Sequence, residues 1–488
     1  MFLEHTKKAL FNNKVVILFA VVSLLAFFAS GMTTVMFFSE LFTRFGRNTF
    51  LVLSLLIPVV AGLGLNFGIV IGAMAAQISM FLVVLWGGQG LAGIAAVAAV
   101  ATPIAIVLGY LIGRLFNSMK GSEMVGGMVT NLFAEGFYQF LFLFVMGGVI
   151  TISNERLVTA TGIGVLNAID LDRENNMRQA LDNVSVLNIA TVGFFVLIAA
   201  ILMLLIFNIV KKQPLKMRGK GGLLKPLLML VPLGIIALAP FVLNPVPAVI
   251  YYDRVQGLTG VRIGAAGFAL FAIYRIIRLK IVEKQSGAPK RQFFNIGLGA
   301  VIFLVTFFPE ISNGLSRVRV PIFTYMLIFG LCLAINWFLK TRLGQNMRTV
   351  GHDRNVATAA GINVDRTRII ATILSTLLAA YGQIISMQNF GVMQVYGGHS
   401  QVGIYAIAAL LVGGATVSRA TVKHALLGVI LFHALFILAP IAGGQLMGSA
   451  LIGEYFRVVV ANAVIAIALI MHAWKVVKRK KDLKAATA

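Results

Sequence analysis

Cysteine is almost missing from this chain. Cys332 stands alone in 488 residues, within an apolar run, which excludes a disulfide framework and any cysteine-rich metal or iron–sulfur site. Acids are also scarce, 16 against 41 Lys and Arg, and Glu135 is the lone one inside an otherwise uncharged span. No G-x-x-x-x-G-K-[ST] phosphate loop occurs, so the chain lacks the usual means of hydrolysing ATP. The six histidines, His5, His352, His399, His424, His433 and His472, include no H-E-x-x-H motif and no i, i+4 pair, which argues against a zinc site. His433, in an apolar run, reads as a buried, hydrogen-bonded histidine. Charged residues make up 12% and apolar ones 59%, against about 45–50% apolar in a soluble domain. An ordinary soluble protein is excluded.

What is present is span material. A bilayer crossing takes ~20 mostly apolar residues. Candidate runs lie near 15–37, 49–66, 67–85, 91–113, 130–151, 189–210, 226–247, 263–274, 293–309, 321–339, 369–386, 403–415, 425–442 and 455–474. The expected fold is an all-α polytopic membrane protein of roughly 10–14 transmembrane helices. Threaded with the N-terminus inside, 31 of the 41 Lys and Arg fall on the cytoplasmic side with six acids, and ten fall outside with nine acids. Such Lys/Arg bias in short loops sets orientation, so the net charge of +25 reads as topology. Nucleic acid is not an expected partner, because no aromatic-interleaved basic surface accompanies the charge. The run 15–37 exceeds a signal-peptide core and no small-residue cleavage site follows it, so it reads as a retained first span.

Four features interrupt the apolar pattern. Residues 61–77, AGLGLNFGIVIGAMAAQ, carry Gly62, Gly64, Gly68 and Gly72 beside Asn66 and Gln77, as a discontinuous helix lining a cavity would; close helix packing through small residues is the alternative. Glu135 stands near Asn131, Tyr138 and Gln139, and an intramembrane carboxylate is a functional-site candidate, although it also reads as a snorkelling acid some five residues into its span. Segment 152–188 holds five of the sixteen acids; it reads as an external polar cap with a short helix near 172–182. Asn183-Val184-Ser185 within it matches a glycosylation sequon.

The fourth feature is the polar stretch 340–369 between two spans, KTRLGQNMRTVGHDRNVATAAGINVDRTRI. Its RNVATAA followed by GIN reads as one or two helical turns with a glycine stop. So short a helix cannot make its own core, and it is suited to docking into a groove on a partner. This stretch resembles the coupling segment of permease subunits of ABC importers for simple sugars, nucleosides and branched-chain amino acids, through Thr341, Gly344, Arg348, Gly351, Asp353, Val356-Ala357, Gly361, Ile362 and Asn363. The resemblance continues through 373–387, 405–431 and 453–470, and upstream through 58–116. It is nearest to the sugar and nucleoside group. Two departures stand out: no acid matches the family's Gly-rich GxxDLS-type pattern in 61–80, and the family's glycine loop is here GGATVSRATVKH, with Arg419, Lys423 and His424.

The resemblance implies a permease subunit translocating a small polar solute, a monosaccharide or nucleoside, across the bacterial cytoplasmic membrane, with both chain termini inside. It implies no cofactor on this chain, ATP and Mg on a partner ATPase, an extracytoplasmic solute-binding (lipo)protein, and a second permease subunit, identical or not. The ATPase-coupling residues would be Gly351, His352, Asp353, Arg354, Asn355, Ala357, Gly361, Ile362 and Asn363. A sugar or nucleoside path favours neutral amides and aromatic faces over fixed charges, so Asn66, Gln77, Asn131, Tyr138 and Gln139, with Glu135, are path candidates, and Asn389 and Tyr396 lie near the external mouth. Gly109, Gly113, Gly147, Gly148, Gly413 and Gly414 would allow helices to slide at close range. The domain reading is an N-terminal bundle 1–151, the cap 152–188, extra middle spans 189–310, a permease core 311–474 with its coupling segment 340–368, and a basic cytoplasmic tail 475–488. The alternatives are a branched-chain amino acid permease of the same kind and an ion-coupled secondary transporter. A membrane-embedded enzyme would need clustered acids or histidines at one face, and a channel would need a repeated pore motif.

Overall fold

The computed structural model describes residues 14–119, 121–152, 154, 157–159, 164–172, 175–181, 198–203, 254–256, 262, 265–266, 268–269, 272–273, 275–276, 290–309, 319–466 and 470. The chain forms two compact units, one of residues 1–180 with 324–488 and the other of 181–323. In the first unit, α1 (Lys14–Ser30) leads through a three-residue turn to α2 (Thr34–Ser54) and the short α3 (Leu56–Val60). The chain then leaves helix until α4 (Ile69–Leu85), and α5 (Gly90–Ser118) and α6 (Glu123–Phe140) follow. Beyond α6 a wider helical turn runs over Leu141–Val149 and kinks at Gly147.

The sequence reading placed a loop at 38–48 between two spans. The structure instead turns at 31–33 and runs α2 straight through that stretch. Polar residues ride in this helix because they bond within it. Thr43 Oγ1 donates to Ser39 O at 2.9 Å, Asn48 Nδ2 to Arg44 O at 2.9 Å, and Arg44 Nε to Glu40 Oε1 at 2.8 Å.

Helix α4 is the centre of the unit, with 14 of its 17 residues buried. That matches an element hydrophobic all round rather than striped. The break before it is glycine-dependent: Gly62 and Gly64 both have φ +74°, a region where L side chains are strained. Asn66 seals it, its Oδ1 accepting from Gly68 N at 2.9 Å and its Nδ2 donating to Ser375 Oγ at 3.3 Å. Irregular backbone is tolerated at membrane depth when protein encloses it in this way.

The C-terminal part of the unit contains α7 (Ile322–Phe338, all but its first two residues), α8 (Arg342–His352), α9 (Arg354–Ala359), α10 (Val364–Phe390), α11 (Ser400–Val412) and α12 (Val422–Met447). A further helix covers 450–466. Helix α10 packs against α5, α4 and α2. It meets α5 at van der Waals range because Gly109 and Gly113 face the backbone of Ile373 and Ile369, where a Cβ would stand 2.8 and 2.9 Å from their Cα atoms. Gly413 and Gly428 make a similar crossing between the end of α11 and α12.

Four helices among the described residues are long and apolar enough to cross a membrane: Gly90–Ser118, Glu123–Val149, Val364–Phe390 and Val422–Met447. Phe323–Phe338 with Arg342–His352 passes the same test as a pair bent by 74°. Together with the shorter apolar helices this is an all-α polytopic membrane protein. Part of the expected 10–14 spans, including all of 226–247, lies outside the described residues. In the second unit Arg254–Gln256 pairs antiparallel with Arg319–Pro321, and a helix covers Lys290–Val305.

At the end of the first unit where α4, α6 and α10 finish, strand β1 (Ala168–Asp170) pairs antiparallel with β2 (Val392–Gln394), Ile169 opposite Met393. The surrounding chain is tied down as well. Gln179 N donates to Gln388 O at 2.7 Å, Gly90 N to Asn175 O at 2.7 Å, and Tyr396 Oη to Val165 O at 2.8 Å. The helix expected near 172–182 is absent from the described residues there, which form turns with Asn176 and Gln179 at positive φ. The reason is that Gln179 N–H is committed to a carbonyl of α10 rather than to its own segment.

Candidate functional sites

Two places in the first unit gather chemistry. The first is the polar zigzag α8–α9 at the opposite end from the β1–β2 pair. Three side-chain caps shape it: Thr341 Oγ1 accepts from Gly344 N at 3.3 Å, Asp353 Oδ1 from Asn355 N at 2.8 Å and Val356 N at 3.2 Å, and Asn363 Oδ1 from Arg366 N at 2.9 Å. Each cap satisfies helix-end donors and is worth about 1 kcal/mol. Gly361 follows α9 at φ +76° with open space around it, the conformation a helix stop requires.

Of the nine coupling candidates, Ala357 is buried while His352, Asp353, Asn355 and Gly361 are exposed, and Asn363 is exposed where α10 starts. Gly351, Arg354 and Ile362 are half-buried. Val356, beside them, is 57% exposed, which leaves an apolar side chain in the open on a short helix. Behind α9, Arg354 Nη2 and Arg368 Nη2 both reach Glu123 Oε1, each at 2.5 Å, and Arg368 Nη2 also donates to Phe116 O at 3.3 Å. Gly351 backs onto the break between α3 and α4, where a Cβ at Gly62 would stand 2.7 Å from the Gly351 Cα. The exposed element is therefore wired by ion pairs and by backbone contact to three core helices.

The sequence reading did not single out Glu123 or Arg368. Their signal was an arginine four residues into an apolar helix, since a charge there implies a buried partner.

The second place is a cavity of about 580 Å³ near the β1–β2 end. Helix α2 supplies Glu40, Arg44, Arg47 and Asn48; α10 supplies Gln383 and Phe390; Gln394 closes it from the α10–α11 connection, Gln401 from the start of α11, and His433, Phe436 and Arg457 from the C-terminal helices. Arg44 is paired with Glu40, and Arg457 with Glu454. Arg47 has no carboxylate partner among the described residues; its guanidinium carbon lies 3.8 Å from the centre of the Phe390 ring. Gln383 Oε1, His433 Nδ1 and Arg457 Nε are buried without hydrogen-bond partners. For His433 this corrects the expectation of a satisfied buried imidazole at that nitrogen.

Of the eight path candidates, Gln77 alone lines this cavity. Its Nε2 donates to Gln394 O at 3.0 Å, and its Oε1 accepts from His399 Nδ1 at 2.6 Å. His399 sits in the connection before α11, and burial pushes its pKa down to about 4. The neutral ring lies tilted by 57° against that of Tyr138, with centroids 4.4 Å apart, and the Tyr138 hydroxyl is buried without a partner. Asn66 is spent on the α3–α4 break and Tyr396 on holding the segment after α6. Asn131, Gln139 and Asn389 are half-buried away from the cavity lining. Glu135 is half-buried as well, but α6 starts at Glu123, so it lies mid-helix rather than near the end, with no ion-pair partner among the described residues. Arg44 and Arg47 escaped the sequence reading because their stretch looked like a loop.

Comparison with known proteins follows the same lines. Residues 180–471 match the family described as branched-chain amino acid transport system / permease component. The chain is 25% identical over 170 residues to the xylose transport system permease protein of Haemophilus influenzae, covering 34% of this chain and 44% of that protein. It is 30% identical over 155 residues to a probable ABC transporter permease protein of Escherichia coli, 31% of this chain and 44% of that one. It is 26% identical over 164 residues to the nucleoside ABC transporter permease protein of Lactococcus lactis, 33% and 42% of the two chains. The matches thus span less than half the length of these curated relatives. No solved structure matches.

Proposed function

Since the chain belongs to the permease-component family of branched-chain amino acid transport systems, we propose that it is the membrane-spanning subunit of an ATP-driven importer for a small polar solute, a monosaccharide or a nucleoside. One observation carries this reading: α9 is a short capped helix with an exposed apolar residue, Val356, and it is joined through Arg354 and Glu123 to Arg368 in the core. A partner ATPase, holding ATP and Mg, would grip α9; its closure would pull α6 and α10 together through the shared carboxylate. Such coupling needs two packings of the same helices and no reactive group on this chain. An external binding protein would deliver solute at the β1–β2 end, and a second permease subunit would complete the path. The setting would be a bacterial cytoplasmic membrane, with both termini inside.

The test is uptake in cells expressing this chain with an ABC ATPase from the same organism. Solute accumulation should be vanadate-sensitive, and Val356→Asp should lower recovery of the ATPase with the purified permease at an unchanged melting temperature. Accumulation that survives vanadate and collapses with the proton gradient would overturn the reading in favour of a secondary transporter.

A further inference from the structure

We infer that the cavity beside the β1–β2 end selects a solute carrying one carboxylate or phosphate on a hydroxylated body, with Arg47 as its anion-binding residue. This rests on the importer reading and narrows its substrate class. The argument begins with charge. Three arginines line the cavity, but Arg44 is neutralised by Glu40 at 2.8 Å and Arg457 by Glu454. Arg47 is 9% exposed and makes no ion pair within 4 Å among the described residues, Glu40 and Arg44 of its own helix acting on it only at longer range. A buried, unpaired guanidinium is costly unless something compensates it. The Phe390 ring 3.8 Å away does so in part, yet a cation–π contact uses none of the five N–H donors of arginine. Those donors match the two oxygens of a carboxylate or phosphate.

The rest of the lining suits a polar body rather than an acyl chain. Gln383 and His433 stand in the lining with Oε1 and Nδ1 buried and without partners. Phe390, Tyr405 and Phe436 add aromatic side chains to the lining. The volume of about 580 Å³ lies in the range of small-molecule sites, roughly 300–1,000 Å³. An anionic lipid headgroup shares the phosphate chemistry, but its two chains would need an apolar groove where these amides stand. The sequence alone pointed to neutral amides, because Arg47 read as a loop residue.

The test uses the full-length purified chain in detergent, with glucuronate, glucose 6-phosphate and glucose as probes. Either anion should raise the melting temperature at a concentration ~10- to 100-fold lower than glucose, the range of one charged hydrogen-bonded contact. Arg47→Gln should bring the three probes together, and Arg47→Lys should retain part of the preference. Should Arg47→Gln fail to fold, Gln401→Glu, which adds a negative charge at an exposed lining position, should weaken the anions and spare glucose. Equal protection by glucose and the anions, or a preference untouched by both substitutions, would overturn the assignment. So would Arg47-dependent stabilisation by phosphatidylglycerol in lipid nanodiscs with none by the soluble anions. Vanadate-sensitive uptake of a neutral sugar at wild-type rate in Arg47→Gln would overturn the anion site and leave the importer intact. Arg47-dependent anion binding without ATP-driven uptake would support the site and remove the importer.

Discussion

Arg368 is enclosed completely and shares one carboxylate oxygen of Glu123 with Arg354, whose side chain is 33% exposed. The two arginines are therefore unequal partners. Removing Glu123 strands the Arg368 charge in the interior, and breaking a buried pair in that way costs about 3–5 kcal/mol. Removing Arg354 relieves a half-solvated charge and should cost no more than about 1 kcal/mol. Thermal unfolding in detergent should show a large loss for Glu123→Gln and a small one for Arg354→Ala. Equal losses would mean that Arg354, not Arg368, is the main partner. His399 provides a second residue-scale prediction. Its pKa is held near 4 by burial against an ordinary value of 6.5, so below pH 6.5 the unfolded chain takes up a proton that the folded chain refuses. Stability is present above pH 6.5 and falls as the pH drops toward 4, by at most about 3 kcal/mol. The melting temperature should decline over that window and lose part of the decline in His399→Gln.

Among the elements, α9 is the one that makes no sense alone. Six residues cannot hold a helix by propensity, and α9 exists because Asp353 caps its start and Gly361 ends it. Open space around Gly361 means that a side chain there meets no clash; the penalty is purely in φ, about 1 kcal/mol or more for a β-branched residue. Gly361→Val should thus leave membrane insertion and abundance normal while lowering uptake several-fold, by shifting how α9 is presented. Unchanged uptake at normal abundance would remove α9 from the coupling role. Helix α2 is instructive in the opposite sense. It is polar enough to resemble a loop, yet each Ser, Thr and Asn side chain that bonds one turn back spares the bilayer an unsatisfied group.

For the whole molecule, the two ends of the first unit differ in kind. One end carries the capped zigzag and the ion triad; the other carries the acidic segment after α6, paired through β1 and β2 to the connection after α10. The Lys/Arg bias predicts that the zigzag faces the cytoplasm, and with it that Asp172 lies outside. A cysteine at Asp172, an exposed position, in a chain with Cys332 replaced by Ser, should react with an impermeant thiol reagent on intact spheroplasts. Labelling only after lysis would invert the orientation.

The sequence by itself determined the membrane class and most of the apolar helices, because span length is a sum over many residues that tertiary contacts cannot reverse. It also determined the break before Ile69 and the glycine stop after α9, since positive φ is a local property that glycine advertises. Tertiary structure decided the rest. Whether 172–182 becomes helix depended on a carbonyl of α10 more than two hundred residues away accepting from Gln179. Asn66 and Gln77 are both hydrogen-bonded to neighbours, and only the packing of the surrounding helices leaves Gln77 in the cavity lining. The pairing of Glu123 with Arg368 and the isolation of Arg47 are likewise facts of three-dimensional neighbourhood, because the energy of a charge in a membrane protein is set by the groups around it rather than by its place in the chain.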